Sequence, residues 1–179
     1  VSAGGDVSAG GDVSAGGDAS AGAGLSAATG ARAGPAPTLT RLLLVRHGET
    51  DWNALRRIQG QIDIDLNETG EQQARSAAQW LSRAAVDAIH SSDLLRAWRT
   101  AEPIGLALSL PVTPEVHLRE RHWGLFQGMR FADIAHEHPA DHARLAAREP
   151  GFDAHGGESL LQLMARTEAA LRRIVASRP

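Results

Sequence analysis

Four consecutive apolar residues, Leu42, Leu43, Leu44 and Val45, break abruptly into the charged pair Arg46-His47. A short, uninterrupted apolar run of this kind predicts a strand buried on both faces, as in a parallel sheet. His47 would then sit just beyond the strand's carboxyl end, where open α/β sheets bind their ligands. From Thr69 onward, Ala74, Ala77, Ala78 and Leu81 recur at helical spacing, with charged and amide residues mostly on the other face. The segment 86–92 (VDAIHSS) reads as a second short strand. A helix is expected next, capped near Asp93 and running over 94–108, with Pro103 kinking it or marking a change of direction. A strand and loop follow at 111–120. Residues 121–156 are mixed, with short helical pieces at 131–138 and 140–149, and read as an insertion over the site. The last helix is the most regular. Leu160, Leu163, Met164, Thr167, Leu171, Ile174 and Val175 form one stripe along it. Strand and helix in alternation argue an α/β layered fold.

The first 38 residues read differently. Residues 1–18 are three copies of a hexamer, VSAGGD twice and VSAGGD again, and small residues continue to Thr38. Such a segment buries too little apolar surface to offset the entropy of ordering, so 1–38 are expected to be a disordered tail and 39–179 the folded domain. There is no cationic start followed by an apolar core of signal-peptide length, and no run long enough to cross a membrane. The sequence of 179 residues contains no cysteine, which removes disulfides, thiol nucleophiles and thiolate metal sites and fits a cytoplasmic protein. A formal net charge of -3 gives no reason to expect nucleic acid as a partner. Nothing in the pattern specifies an oligomeric state.

The most specific string is Arg46-His47-Gly48-Glu49-Thr50 with Trp52-Asn53 behind it. Moving a phosphoryl group through a loose transition state requires a nucleophile held in line and cations around the spread negative charge. A neutral imidazole can be that nucleophile if an acceptor fixes its tautomer. Gly48 permits close backbone approach, and Arg46 offers a planar fork matched to phosphate oxygens.

This string, together with Arg57-Ile58-Gln59-Gly60, Ser91-Ser92 followed by Arg96-Ala97 and Thr100-Ala101, Leu118-Arg119-Glu120-Arg121, and Gly156-Gly157-Glu158-Ser159, resembles the histidine phosphatase (phosphoglycerate mutase-like) superfamily. The resemblance spans nearly everything from Leu42 onward. It implies a three-layer α/β/α sandwich. It implies a phosphomonoester hydrolase acting on a small phosphorylated metabolite through a phosphohistidine, without cofactor or metal. His47 becomes the nucleophile and Glu120 the general acid, with Arg46 and Arg96 stabilising the transferring group. Asn53, Gln59 and Gly60 fall on positions that line the phosphate pocket with the two arginines. Asn67 stands where threonine is usual, and Arg99 where glutamine is common.

The family's second catalytic histidine, in a strand-borne S-H-G or T-H-G, has no counterpart, so the domain is expected to be incomplete at its carboxyl end. His155 precedes the last helix and is not expected to replace it. Loss of that strand should expose apolar faces and leave backbone unpaired, with low stability as the consequence. The cluster His136, His138 and His142 reads as a solvated surface, since Pro139 interrupts any single helical face. Two alternatives remain. Glu120-Arg121-His122 with Trp123-Gly124 echoes a mutase string, although Arg57-Ile58-Gln59-Gly60 is phosphatase-like. The missing histidine would also suit a non-catalytic phosphate-binding remnant.

Overall fold

A computed structural model describes residues 39–177, so the reading of 1–38 as a tail lies outside the described residues. The elements run α1 (Asp51–Ala54), α2 (Glu68–Leu81), β1 (Ile89–Ser91), α3 (Leu95–Leu108), β2 (Val112–Pro114), two 3-10 turns at Val116–Leu118 and Gly124–Phe126, α4 (Phe131–Glu137), α5 (Pro139–Ala146) and α6 (Leu160–Ala176). The fold is α/β. β1 and β2 pair in parallel, with Ile89 opposite Val112 and Ser91 opposite Pro114. Helix α3 makes the crossover between them, as a parallel pair requires.

Helix α2 forms where its periodicity places it. Asn67 caps it by accepting from Gly70 N at 2.9 Å, and Ala74, Ala78 and Leu81 are buried. Ala78 and Leu81 pack with Ile104 of α3, beside Ile89 and Leu108. A second core lies under the insertion, where Phe126, Ile134, Phe152 and Ala154 close on Ile58. Backbone bonds join the two chain segments there, Ile58 N donating to Met129 O at 2.9 Å and Gly128 N to Ile58 O at 2.8 Å.

Two sequence expectations need correction. Residues 42–45 make no ladder, and their side chains are exposed, Leu44 at 83%. They line one wall of an open groove of about 1080 Å³ whose other walls include Ile89, His90, Ile104, Leu171, Ile174 and Val175. An apolar run supplies a strand's side chains but not the neighbouring backbone that a ladder needs.

The stripe on α6 is likewise only partly covered. Ala170 is its buried residue, while Met164 is 65% exposed. Leu171, Ile174 and Val175 border the same groove.

Helix α3 includes Pro103, and Asp93 does not cap it. The Asp93 carboxylate is held by the Arg119 guanidinium, with Nε donating at 2.7 Å. The N-terminal amide of α3 is served instead by Asp63, whose Oδ1 accepts from Leu95 N at 2.6 Å. Among the described residues no helix is long and apolar enough to cross a membrane.

Candidate active site

His47, Arg46, Arg96 and Glu120 line one end of the groove. Arg46 and His47 come from one loop, Arg96 from α3 and Glu120 from the loop after the first 3-10 turn.

His47 follows the exposed run 42–45 and opens a tightly anchored loop. Its Nδ1 lies 2.7 Å from Gly48 O, and a carbonyl can only accept, so Nδ1 carries the proton and Nε2 keeps its lone pair. Gly48 N donates to Thr100 Oγ1 of α3 at 2.9 Å, which ties the loop to that helix. Gly48 is required by space. A Cβ there would lie 2.5 Å from Gly70 O, at the start of α2. Glu49 completes the anchor. Its carbonyl accepts from Asn67 N at 3.0 Å, its carboxylate from Asn67 Nδ2 at 3.0 Å, and its amide donates to Gln73 Oε1 at 2.8 Å. Asn67, in place of the usual threonine, therefore both caps α2 and holds the loop.

Burial pushes the His47 imidazole below its ordinary value, and the charges of Arg96 and Arg46 push it the same way. The bond to Gly48 O and the Glu120 carboxylate oppose this without overcoming it. The ring is thus held neutral, in the tautomer that presents Nε2.

Arg96 sits in the first turn of α3 and is 1% exposed. Its Nη1 donates to Ile62 O at 3.0 Å and its Nη2 to Gly60 O at 2.7 Å. Gly60 adopts φ +57°, a left-handed conformation that suits glycine and turns its carbonyl to the guanidinium. Burial lowers the affinity of Arg96 for its proton, partly offset by Glu120 and Asp63, but a guanidinium remains charged in proteins.

Glu120 is exposed, in the loop after the first 3-10 turn. Its Oε1 accepts from Arg121 N at 2.7 Å. Its carbonyl accepts from Gln61 Nε2 and Arg166 Nη2, each at 3.0 Å.

Asn53, Gln59 and Gly60 do not line the groove with the other four. Asn53 closes a capping box with Thr50 at the start of α1. Gln59 is buried and its Oε1 accepts from Thr50 Oγ1 at 2.9 Å. Gly60 contributes its carbonyl to Arg96. These residues shape the loop after His47 and orient Arg96. His155 stands apart, its ring against Phe126 and Phe152 and its Nε2 2.8 Å from Asp141 Oδ2. His138 also packs edge-on against Phe126.

Sequence reading missed Thr100, Gln61, Glu158 and Arg166 as parts of this framework. Thr100 lies four residues after Arg96, on the same helical face, which is the signal that was available.

The sequence profile of the histidine phosphatase superfamily (branch 1) matches residues 42–179. A glucosyl-3-phosphoglycerate phosphatase of Mycobacterium tuberculosis is 44% identical over 140 residues, covering 78% of this chain and 62% of that protein. Phosphoserine phosphatase 1 of Hydrogenobacter thermophilus is 37% identical over 136 residues, covering 76% and 64%. The mycobacterial glucosyl-3-phosphoglycerate phosphatase in complex with inorganic phosphate superposes with a TM-score of 0.66 at 42% identity, covering 74% of this chain and 61% of that one. The chain thus spans somewhat less than two thirds of the length of these relatives. With an Arg-His-Gly loop anchored on two helices, a buried arginine beside it and a profile matched from Leu42 onward, the chain belongs to the histidine phosphatase superfamily, branch 1.

Proposed function

We propose that the protein hydrolyses a small phosphomonoester through a phosphoryl group carried on His47. The observation that carries this reading is the pairing of Arg96 with His47. Arg96 is buried with neutral carbonyls as its hydrogen-bond partners, in the same cavity as an imidazole held neutral. A buried cation without a bonded counter-charge favours an anion, and a neutral imidazole is a nucleophile.

His47 Nε2 attacks phosphorus and forms the N–P bond. The ester P–O bond breaks, its electron pair leaves with the alcohol oxygen, and Glu120 gives that oxygen a proton. Water then attacks phosphorus and yields its proton to Glu120, and the N–P electron pair returns to His47. Arg46 and Arg96 face the charge on the transferring oxygens. Gly60 orients Arg96 through its carbonyl, while Gln59 and Asn53 bond Thr50 in the loop after His47. The relatives named for glucosyl-3-phosphoglycerate and phosphoserine suggest a substrate of that size. A cytoplasmic location, with a phosphorylated metabolite as the partner, belongs to the same proposal.

The test is phosphate release by the full-length protein from glucosyl-3-phosphoglycerate, phosphoserine and 3-phosphoglycerate. The expected result is inorganic phosphate from at least one of them, abolished in His47→Ala. Interconversion of phosphoglycerates dependent on a bisphosphate primer would replace this reading with a mutase, and binding without turnover with a phosphate-binding protein.

A further inference from the structure

The segment that bears Glu120 is held from α6 by an ion pair for which phosphoryl transfer itself has no use. Arg166, in the second turn of α6, reaches back to this segment at two carbonyls. Its Nη1 donates to His117 O at 2.7 Å and its Nη2 to Glu120 O at 3.0 Å. The same guanidinium is gripped by Glu158, with Nε donating to Oε1 at 2.5 Å and Nη2 to Oε2 at 2.8 Å. Both side chains are largely buried, at 17% and 13% exposure.

Glu158 is fixed in turn by the residues on the far side of Glu120. Its backbone N donates to His122 O at 2.8 Å, and its own carbonyl accepts from Arg121 Nε at 2.6 Å. Arg121 is buried, stacks over the Trp123 ring at 4.5 Å and also donates to Phe152 O at 2.5 Å. Glu120 thus stands between two clamped stretches, one held at His117 and at its own carbonyl, the other at Arg121 and His122. Its carboxylate is exposed and bonded to the Arg121 amide, so the position of that carboxylate is set by the backbone under it.

We infer that the Glu158–Arg166 pair is a positioning device for the proton donor: it fixes the backbone of Glu120 so that the carboxyl group faces the leaving oxygen. The inference rests on the reading of Glu120 as general acid. Neither residue lines the groove that holds His47. Loss of the pair should therefore weaken protonation of the leaving group and spare attack at phosphorus. A salt bridge with a merely structural part in the fold would not distinguish the two.

Leaving-group dependence separates these cases. An alkoxide needs the proton, whereas p-nitrophenolate departs without one. Rates are compared in the full-length protein for wild type, Glu120→Gln, Arg166→Gln and Arg166→Lys, each with an alkyl phosphate that the wild type hydrolyses and with p-nitrophenyl phosphate. General acid catalysis typically contributes roughly 10²- to 10⁴-fold, so Glu120→Gln should lose about that much kcat on the alkyl ester and little on p-nitrophenyl phosphate. A misplaced donor should cost Arg166→Gln roughly tenfold or more on the alkyl ester with p-nitrophenyl phosphate again spared. Arg166→Lys, which keeps one donor for the Glu120 carbonyl, should fall between. Should Arg166→Gln fail to fold, Arg166→Lys and Glu158→Gln carry the same comparison.

Equal losses on both esters in the Arg166 variants, with the selective loss in Glu120→Gln intact, would overturn the positioning role alone. Equal losses in Glu120→Gln would overturn the acid assignment beneath it. Absence of turnover of either ester by wild type would overturn the phosphatase reading and this inference with it.

Discussion

The hydroxyl of Thr100 joins the loop of His47 to the helix that carries Arg96. Its Oγ1 accepts from Gly48 N at 2.9 Å and donates to Arg96 O at 2.7 Å, so the loop of His47 and the helix of Arg96 share one buried oxygen. Thr100→Val removes that oxygen while keeping the shape and leaves the Gly48 amide without a partner. Stability should drop by about 1–3 kcal/mol, the cost of an unmet buried donor, measurable by urea unfolding. Phosphate release should fall as well, and Thr100→Ser should restore most of both.

Gly48 makes a second, purely steric prediction. A Cβ at this position meets Gly70 O at 2.5 Å, backbone against backbone, with no flexible side chain to yield. Gly48→Ala should therefore destabilise the domain by roughly 1–3 kcal/mol and lower its melting temperature, as overpacking does. A melting temperature equal to wild type would mean that the loop of Gly48 and the start of α2 do not approach so closely.

The protonation of His47 has a definite direction. Its pKa in the folded state lies below the ordinary imidazole value, with burial the largest cause and Arg96 and Arg46 next. Between that lowered value and about 6.5, the unfolded chain binds more protons than the folded one, so this residue's contribution to stability falls as pH falls through the window. Above it the contribution is fully present. NMR titration of the His47 ring should give a midpoint below 6.5, and Arg96→Met, which removes a nearby positive charge, should raise it. A midpoint above 6.5 in wild type would contradict the burial and charge pattern described.

Arg96 also yields a prediction about geometry. Its two terminal nitrogens serve Gly60 O and Ile62 O at once, an arrangement that needs a planar fork. Arg96→Lys keeps the charge and loses the fork. Turnover should fall by roughly 10²- to 10³-fold, as when one preorganised donor is removed from a transition-state site. Near-normal kcat/KM in Arg96→Lys would show that charge alone suffices.

The strings that carry the candidate site were legible in the sequence, whereas the contacts that hold them in place were not. His47, Arg46, Arg96 and Glu120 were singled out by the family resemblance, through the order of the short strings that carry them, and not by any one residue's local pattern. The structure brings those four to one cavity. Asn53 and Gln59, expected at the phosphate pocket, share the hydroxyl of Thr50, a contact that their strings did not indicate. The strand expected at 42–45 and the cover for the α6 stripe depended on neighbours that no local pattern specifies. Apolar periodicity states which face seeks cover and is silent on what covers it. Thr100 to Gly48 and Arg166 to Glu120 span 52 and 46 residues, distances over which a single sequence carries no pairing signal.

The phosphoryl group on His47 can be sought directly. Full-length protein would be mixed with substrate, quenched in alkali within milliseconds, digested, and analysed by mass spectrometry for a phosphorylated imidazole. Attack by His47 predicts a base-stable, acid-labile phosphoryl group on the peptide containing His47, formed and lost at rates compatible with turnover and absent from His47→Ala. Turnover that proceeds with no phosphorylated His47 at any quench time, or that survives His47→Ala, would contradict it.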